Sequence, residues 1–214
     1  MEKKRRSNQR GVTLIELLVV LVICCMLVGG IYRLFIAQSK AYNMQEQVVE
    51  AQQNTRAAME ILLRDLRMTG YDDDRTPLVI LPNPPVLPAD NAITVNFEYN
   101  GALYQVRYWR DPSSRLMRQQ TIGGVSTTDV VLENVQDITF NYGVDENDDG
   151  AMDDLNDNGI LDDWVPSGSV GNRRVVAVRS SLTARTAQIN PDLRNTSPRT
   201  LVSAVTFRNM SLVR

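Results

Sequence analysis

Residues 145–162 read DENDDGAMD and then DLNDNGILD, and both stretches fit the pattern D-x-N-x-[DN]-G-x-x-D. Oxygen-bearing side chains at positions 1, 3 and 5 can curl round a hard cation. Glycine at position 6 permits the sharp turn, and position 7 offers its carbonyl. The first copy supplies Asp145, Asn147, Asp149 and the carbonyl of Ala151, with Asp153 at its end. The second supplies Asp154, Asn156, Asn158 and the carbonyl of Ile160, with Asp162 at its end. An EF-hand needs Glu at position 12, where this chain has Asn156 or Val165, and no helix pair flanks the repeat. A run of charge is most often a solvated face, and that plain alternative stands for these residues too. Two tandem copies favour ligation. The expected ion is Ca²⁺ rather than Mg²⁺, because a flexible cage of oxygens suits the larger cation. The first copy, richer in carboxylates, should bind it more tightly.

A second chemical oddity is Glu16. It is the one charge between Val12 and Tyr32, a run of 21 residues that as a helix at about 1.5 Å each spans a bilayer's hydrocarbon core. An acidic group at the centre of a membrane helix costs roughly 2.5–3.5 kcal/mol. Two readings account for it. Thr13-x-x-Glu16 is a capping box, in which the two residues satisfy the first backbone donors of a helix. Alternatively, cleavage between Gly11 and Val12 makes Val12 a cationic amine one turn away, and Glu16 pairs with the amine of a neighbouring subunit where water is scarce. The second reading gives the chain a reason to polymerise.

These groups must be carried by larger elements. Residues 1–11 hold five bases and one acid, which favours retention of that end in the cytoplasm and export of the chain beyond Tyr32. The apolar run exceeds a secretory h-region and lacks a small-residue cleavage site behind it. Beyond Tyr32 the helical signal continues: Ala41, Met44, Val48, Ala51, Thr55, Ala58, Leu62 and Leu66 recur at intervals of three and four. One helix from about Thr13 to about Met68 is expected, ending at Gly70, with Gly29-Gly30 as its weakest point. The proline-rich RTPLVILPNPPVLPAD reads as an extended connector. The period then changes to two in AITVNFEY, LYQVRYWR, RLMRQQTI, DVVLENVQDITFNYG, RRVVAVRSSLTART and TLVSAVTFRN. DPSS is a hairpin turn between the second and third, and INPDLRNTSPRT a polar loop before the last. The expected class is α+β, with an antiparallel β-sheet packed on the amphipathic half of a long N-terminal helix.

The remaining composition excludes several functions. After residue 11 acids outnumber bases, and nine acids with no base lie between Asp145 and Asp163, which argues against a nucleic-acid partner. There is no histidine, so His-based triads and most zinc sites are out. Cys24 and Cys25 are adjacent inside the apolar run, where side chains about 100° apart on a helix disfavour an intrachain bridge. No nucleophile–base pairing or phosphate-binding glycine loop is present, so no enzymatic activity is expected.

A basic leader ending in Gly11, followed by VTLIELLVVLVI, resembles the class III signal of type IV pilins and type II secretion pseudopilins. The resemblance implies that a prepilin peptidase cuts after Gly11 and N-methylates Val12, where the family usually has Phe. The helix AYNMQEQVVEAQQNTRAAMEILLRDLRMTGYD resembles that of PilW-type minor pilins in Gln52, Asn54, Arg56 and the run Arg64-Asp65-Leu66-Arg67-Met68-Thr69-Gly70-Tyr71. The ending RTLVSAVTFRN is similar to that group's closing strand, and residues 145–162 resemble tandem Asp/Asn loops of extracellular calcium repeats. These likenesses imply a minor pilin that helps to prime pilus assembly or form the tip, with minor and major pilins, prepilin peptidase and the inner membrane as partners. A secretion pseudopilin or a calcium-dependent adhesin anchored in the membrane is the alternative. The expected organisation is a cleaved leader at 1–11, a transmembrane and assembly helix at 12–36, an amphipathic helix at 37–70, and a β-rich domain at 71–214. That last domain would lie outside the cytoplasm, first at the inner membrane and then in the pilus at the cell surface, with its calcium loop at 145–163.

Overall fold

A computed structural model describes residues 11–72, 82, 84–186 and 198–209. Its first element, α1 (Leu14–Arg67), runs unbroken through Gly29 and Gly30. Two compact units divide the chain between Glu46 and Gln47. In the first, the helix exposes its apolar side chains in every direction, Leu14 at 82% and Ile31 at 65% among them. Such a surface suits a lipid or a neighbouring helix and not water.

In the second unit the stripe read from the sequence goes inward: Thr55, Ala58, Met59, Leu62, Leu63 and Leu66 are buried. Burying one such aliphatic side chain is worth about 1.5–3 kcal/mol relative to leaving it in water. Gly70, at φ 70°, ends the helical run, and its N–H donates to the Asn96 carbonyl at 3.0 Å.

Among the described residues eight strands come after the helix: β1 (Val86–Pro88), β2 (Ala92–Tyr99), β3 (Ala102–Arg110), β4 (Leu116–Ile122), β5 (Val125–Leu132), β6 (Val135–Asp145), β7 (Arg174–Ala184) and β8 (Arg199–Thr206). All pairs are antiparallel, in a five-stranded sheet β1-β2-β3-β4-β5 and a three-stranded sheet β6-β7-β8. The α+β arrangement therefore holds, with two sheets where one was expected. Val95, Val106, Ile138, Phe140 and Leu182 join the helix stripe in one core.

Two elements differ from the sequence reading. DVVLENVQDITFNYG is not one strand, because Asn134 turns the chain at φ 57° just before β6 begins at Val135. The connector before residue 90 contains β1, since Val86, Leu87 and Pro88 pair with Val95, Thr94 and Ile93. Pro88 is tolerated because β1 lies at the sheet edge. The DPSS turn forms as expected, with the Ser114 N–H on the Asp111 carbonyl at 3.1 Å. Most of the polar loop INPDLRNTSPRT falls outside the described residues.

One polar cluster sits inside this apolar packing. Asp65, on the buried face of α1, accepts from the Tyr108 hydroxyl at 2.6 Å and from Arg118 Nε at 2.7 Å. Tyr108 and Arg118 are cross-strand partners on β3 and β4. Helix and sheet are thus joined by a charge-assisted contact in which Asp65 and Arg118 are residue types that ordinarily face solvent.

Candidate functional site

The start of α1 is capped by Thr13 and Glu16. Thr13 N–H and Oγ1 both donate to Glu16 Oε2 at 3.1 Å, and Glu16 N–H donates back to Thr13 Oγ1 at 3.3 Å. This is the reciprocal capping box that the spacing allowed. Gly11 and Val12 precede it in exposed, non-helical backbone.

The acidic repeat occupies the long connection between β6 and β7. Its foot is fixed in several ways. Asp145 ends β6 opposite Arg174, the first residue of β7. The Asp153 N–H bonds the Val144 carbonyl at 2.9 Å, and Met152 lies against Gly143, where an added Cβ would come within 2.7 Å of its sulfur. Further along, Val165 bridges Tyr142, and Ser167 donates through N–H and hydroxyl to Asp90. The Trp164 ring lies under Arg179 at 4.5 Å.

Within the first copy, one carboxylate oxygen from each of Asp145, Asp149 and Asp153 lies within 4.8 Å of the other two. Calcium–oxygen bonds of about 2.3–2.6 Å allow oxygens up to roughly 5 Å apart across one ion, so all three fit a single coordination sphere. Asp145 is buried, with Oδ2 accepting from the Gly150 N–H at 2.9 Å and Oδ1 without a hydrogen-bond partner. Arg174 Nη1 stands 3.8 Å from Oδ2. A buried carboxylate oxygen with no donor is costly, and a cation beside it removes that cost. The three Asp can therefore hold a metal ion.

Asn147 Oδ1 accepts from the Asp149 N–H, and Asp149 Oδ1 from the Ala151 N–H. The second copy repeats this backbone. Asp148 and Asp157 at position 4, and Gly150 and Gly159 at position 6, all have positive φ. A left-handed residue at position 6 is where glycine costs least. Asn156 and Asn158 turn the chain as Asn147 and Asp149 do, the Asn158 and Ile160 N–H groups being the donors. The Asp154 carboxyl accepts from Gly159 and Asn158. Desolvation is the largest single influence and raises its pKa, but the bonds from Gly159, Asn158 and Asn156 together hold it below the usual carboxylate value.

The copies close differently. Asp153, at position 9, accepts from the Glu146 N–H. In the second copy Asp163, one residue beyond position 9, accepts from the Asn156 N–H at 3.0 Å and its side-chain amide at 2.6 Å. The Asp162 N–H bonds the Ile160 carbonyl at 2.9 Å, which leaves that oxygen a second lone pair. The repeat pattern singled out Asp162 as a ligand, and it gave no sign that Asp163 closes the loop by hydrogen bonds. The adjacent pair Asp162-Asp163 offers two registers, and only three-dimensional closure chooses between them.

A long, capped apolar helix followed by a helix-backed antiparallel domain defines an α+β chain that fits membrane anchoring, and among the described residues α1 alone is long and apolar enough to cross a bilayer. Residues 6–32 match the prokaryotic N-terminal methylation motif, and residues 103–211 match the type IV pilus-assembly protein W family. The chain belongs to that pilus-assembly family. No curated protein and no solved structure matches it.

Proposed function

We propose that the chain is a minor pilin of the type IV pilus, cut by prepilin peptidase between Gly11 and Val12 and methylated on Val12. Its work is to prime assembly or form the tip, together with other minor and major pilins, and it has no enzymatic activity. The observation that carries this reading is the presence in one chain of the methylation motif and the pilus-assembly family's domain. The basic leader argues for a cytoplasmic N-terminus and a domain on the other side of the membrane. Intact-mass analysis of protein extracted from peptidase-positive membranes tests the processing. The mature chain should begin at Val12 and carry one methyl group, while a Gly11→Asp form stays full length. Wild type that keeps Met1 to Gly11 in such cells would overturn the reading.

Glu16 has two partners in this scheme. In the precursor it closes the capping box with Thr13. In the fibre it neutralises the amine of a neighbouring subunit. Glu16→Gln keeps the shape and an acceptor oxygen but loses the charge. Membrane insertion and the melt of the β-rich domain should be unchanged, while the amount recovered in sheared pili falls. Equal recovery would leave the capping box as the whole role of Glu16.

The Asp145, Asp149 and Asp153 cluster is assigned to Ca²⁺, with Asn147 and the Ala151 carbonyl as further ligands. Oxygen-only donors, a glycine-permitted turn and a place outside the cytoplasm favour that ion. A second, weaker site is assigned to Asp154, Asn156, Asn158, the Ile160 carbonyl and Asp162. The bound ion would order the connection between β6 and β7 without taking part in any reaction.

A further inference from the structure

The second copy of the repeat exposes three aliphatic side chains on one short loop: Leu155 at 36%, Ile160 at 58% and Leu161 at 60%. Nothing in cation binding requires them, because a ligand at position 7 works through its carbonyl. The loop is held closed by the bonds from Asn156 to Asp163, and Gly159 N–H bonds Asp154 within it. Asp154, Asp157, Asp162 and Asp163 lie on the same loop, and no base occurs anywhere from 145 to 163. Single exposed apolar side chains are common on a surface, but three within seven residues, set among charges of one sign, make a candidate contact surface.

We infer that residues 154–163 form a docking knob for another pilus subunit, whose complementary surface is an apolar hollow bordered by Lys or Arg. Charge decides the occupant. An anionic membrane surface and a second copy of the same acidic loop are both repelled, while a basic rim is attracted and oriented. The internal hydrogen bonds hold the loop in shape before contact, which lowers the ordering cost of binding. The inference rests on the pilus reading; one Ca²⁺ at the weaker site would take the four acids of 154–163 only from −4 to −2, so the loop stays acidic.

The test uses the full-length chain in piliated cells. Leu155→Ser combined with Leu161→Ser should lower its recovery in sheared fibres by about tenfold or more. Asp157→Lys, which leaves the aliphatic groups in place, should lower it too. Val130→Ser on β5 alters an equally open apolar side chain, 44% exposed, outside the loop and should change nothing. A photoreactive benzoylphenylalanine at position 157 should crosslink to a different pilus subunit, through a peptide containing Lys or Arg. Crosslinks only to lipid, to a copy of this chain, or to a peptide without a base overturn the inference. So does full recovery of both loop variants while wild type is present in fibres. Wild type missing from fibres removes the pilus reading, and the inference falls with it.

Discussion

Arg118→Met should destabilise the folded domain by roughly 3–5 kcal/mol, the range for a buried ion pair stripped of one partner. The cost comes from Asp65, whose side chain is 8% exposed and whose Oδ2 would keep only the Tyr108 hydroxyl. Arg64 stands 3.7 Å from the other oxygen, but its side chain is 71% exposed and solvent screens it. Adding Asp65→Asn to Arg118→Met should recover part of the loss, because the uncompensated charge is then gone. Tyr108→Phe removes the buried hydrogen bond to Asp65 and the longer one accepted from Arg118 Nε, and should cost about 1–3 kcal/mol. Tyr108 also sets an alkaline limit. Burial first, and the Asp65 charge second, hold its phenol above the ordinary tyrosine range. A folded-state pKa above the unfolded one means the stabilisation is complete below the unfolded value of about 10 and is lost as pH rises past it. Denaturant melts between about pH 8 and 11 should show this fall in wild type and a flatter curve in Tyr108→Phe. A loss below about 1 kcal/mol for Arg118→Met would mean that Asp65 is wet, and the clamp would be discarded.

Periodicity carried the long helix, because a spacing of three and four over Ala58, Leu62 and Leu66 matches the face that packs on the sheet. It could not reveal Asp65, whose burial depends on Tyr108 and Arg118 arriving from strands more than forty residues away. The run Arg64 to Tyr71 was legible as a family likeness, and its buried carboxylate supplies a physical reason for part of it. The split at Asn134 was hidden for a similar reason. Its φ of 57° is a local turn inside an otherwise β-rich run, and the neighbouring Glu133 gives no stronger signal. In the acidic repeat the turn chemistry was fully written in the sequence, since Asn or Asp at positions 3 and 5 bonds the backbone two residues on. The closing residue was legible only in the first copy, where Asp153 stands at position 9 and its N–H is held by the strand end at Val144, whereas Asp163 closes the second.

That difference between the copies sets the last expected result. A soluble fragment from about Ser39 onward should gain about 2.7 kcal/mol at a Ca²⁺ concentration about 100 times the dissociation constant of the first site, provided the unfolded chain binds none. Asp145→Ala should abolish most of this gain. It removes the one ligand that is buried, and with it the unpartnered Oδ1 that makes the ion-free loop costly. In the absence of Ca²⁺ the same change should therefore cost less than an ordinary buried substitution, because a desolvated carboxylate leaves along with the Gly150 bond. Asp149→Ala should act in the same direction on the ion, but from an exposed position. Asp154→Ala should remove a smaller part, since its carboxyl is already spent on the N–H groups of Gly159 and Asn158. Asp129→Ala, exposed on β5, measures what general charge screening contributes. Calorimetry and thermal melts read these effects together. No saturable heat at millimolar Ca²⁺ would remove the assignment. A melt shifted by Ca²⁺ to the same extent in Asp145→Ala as in Asp129→Ala would reduce residues 145–162 to a solvated acidic arm whose charge is merely screened.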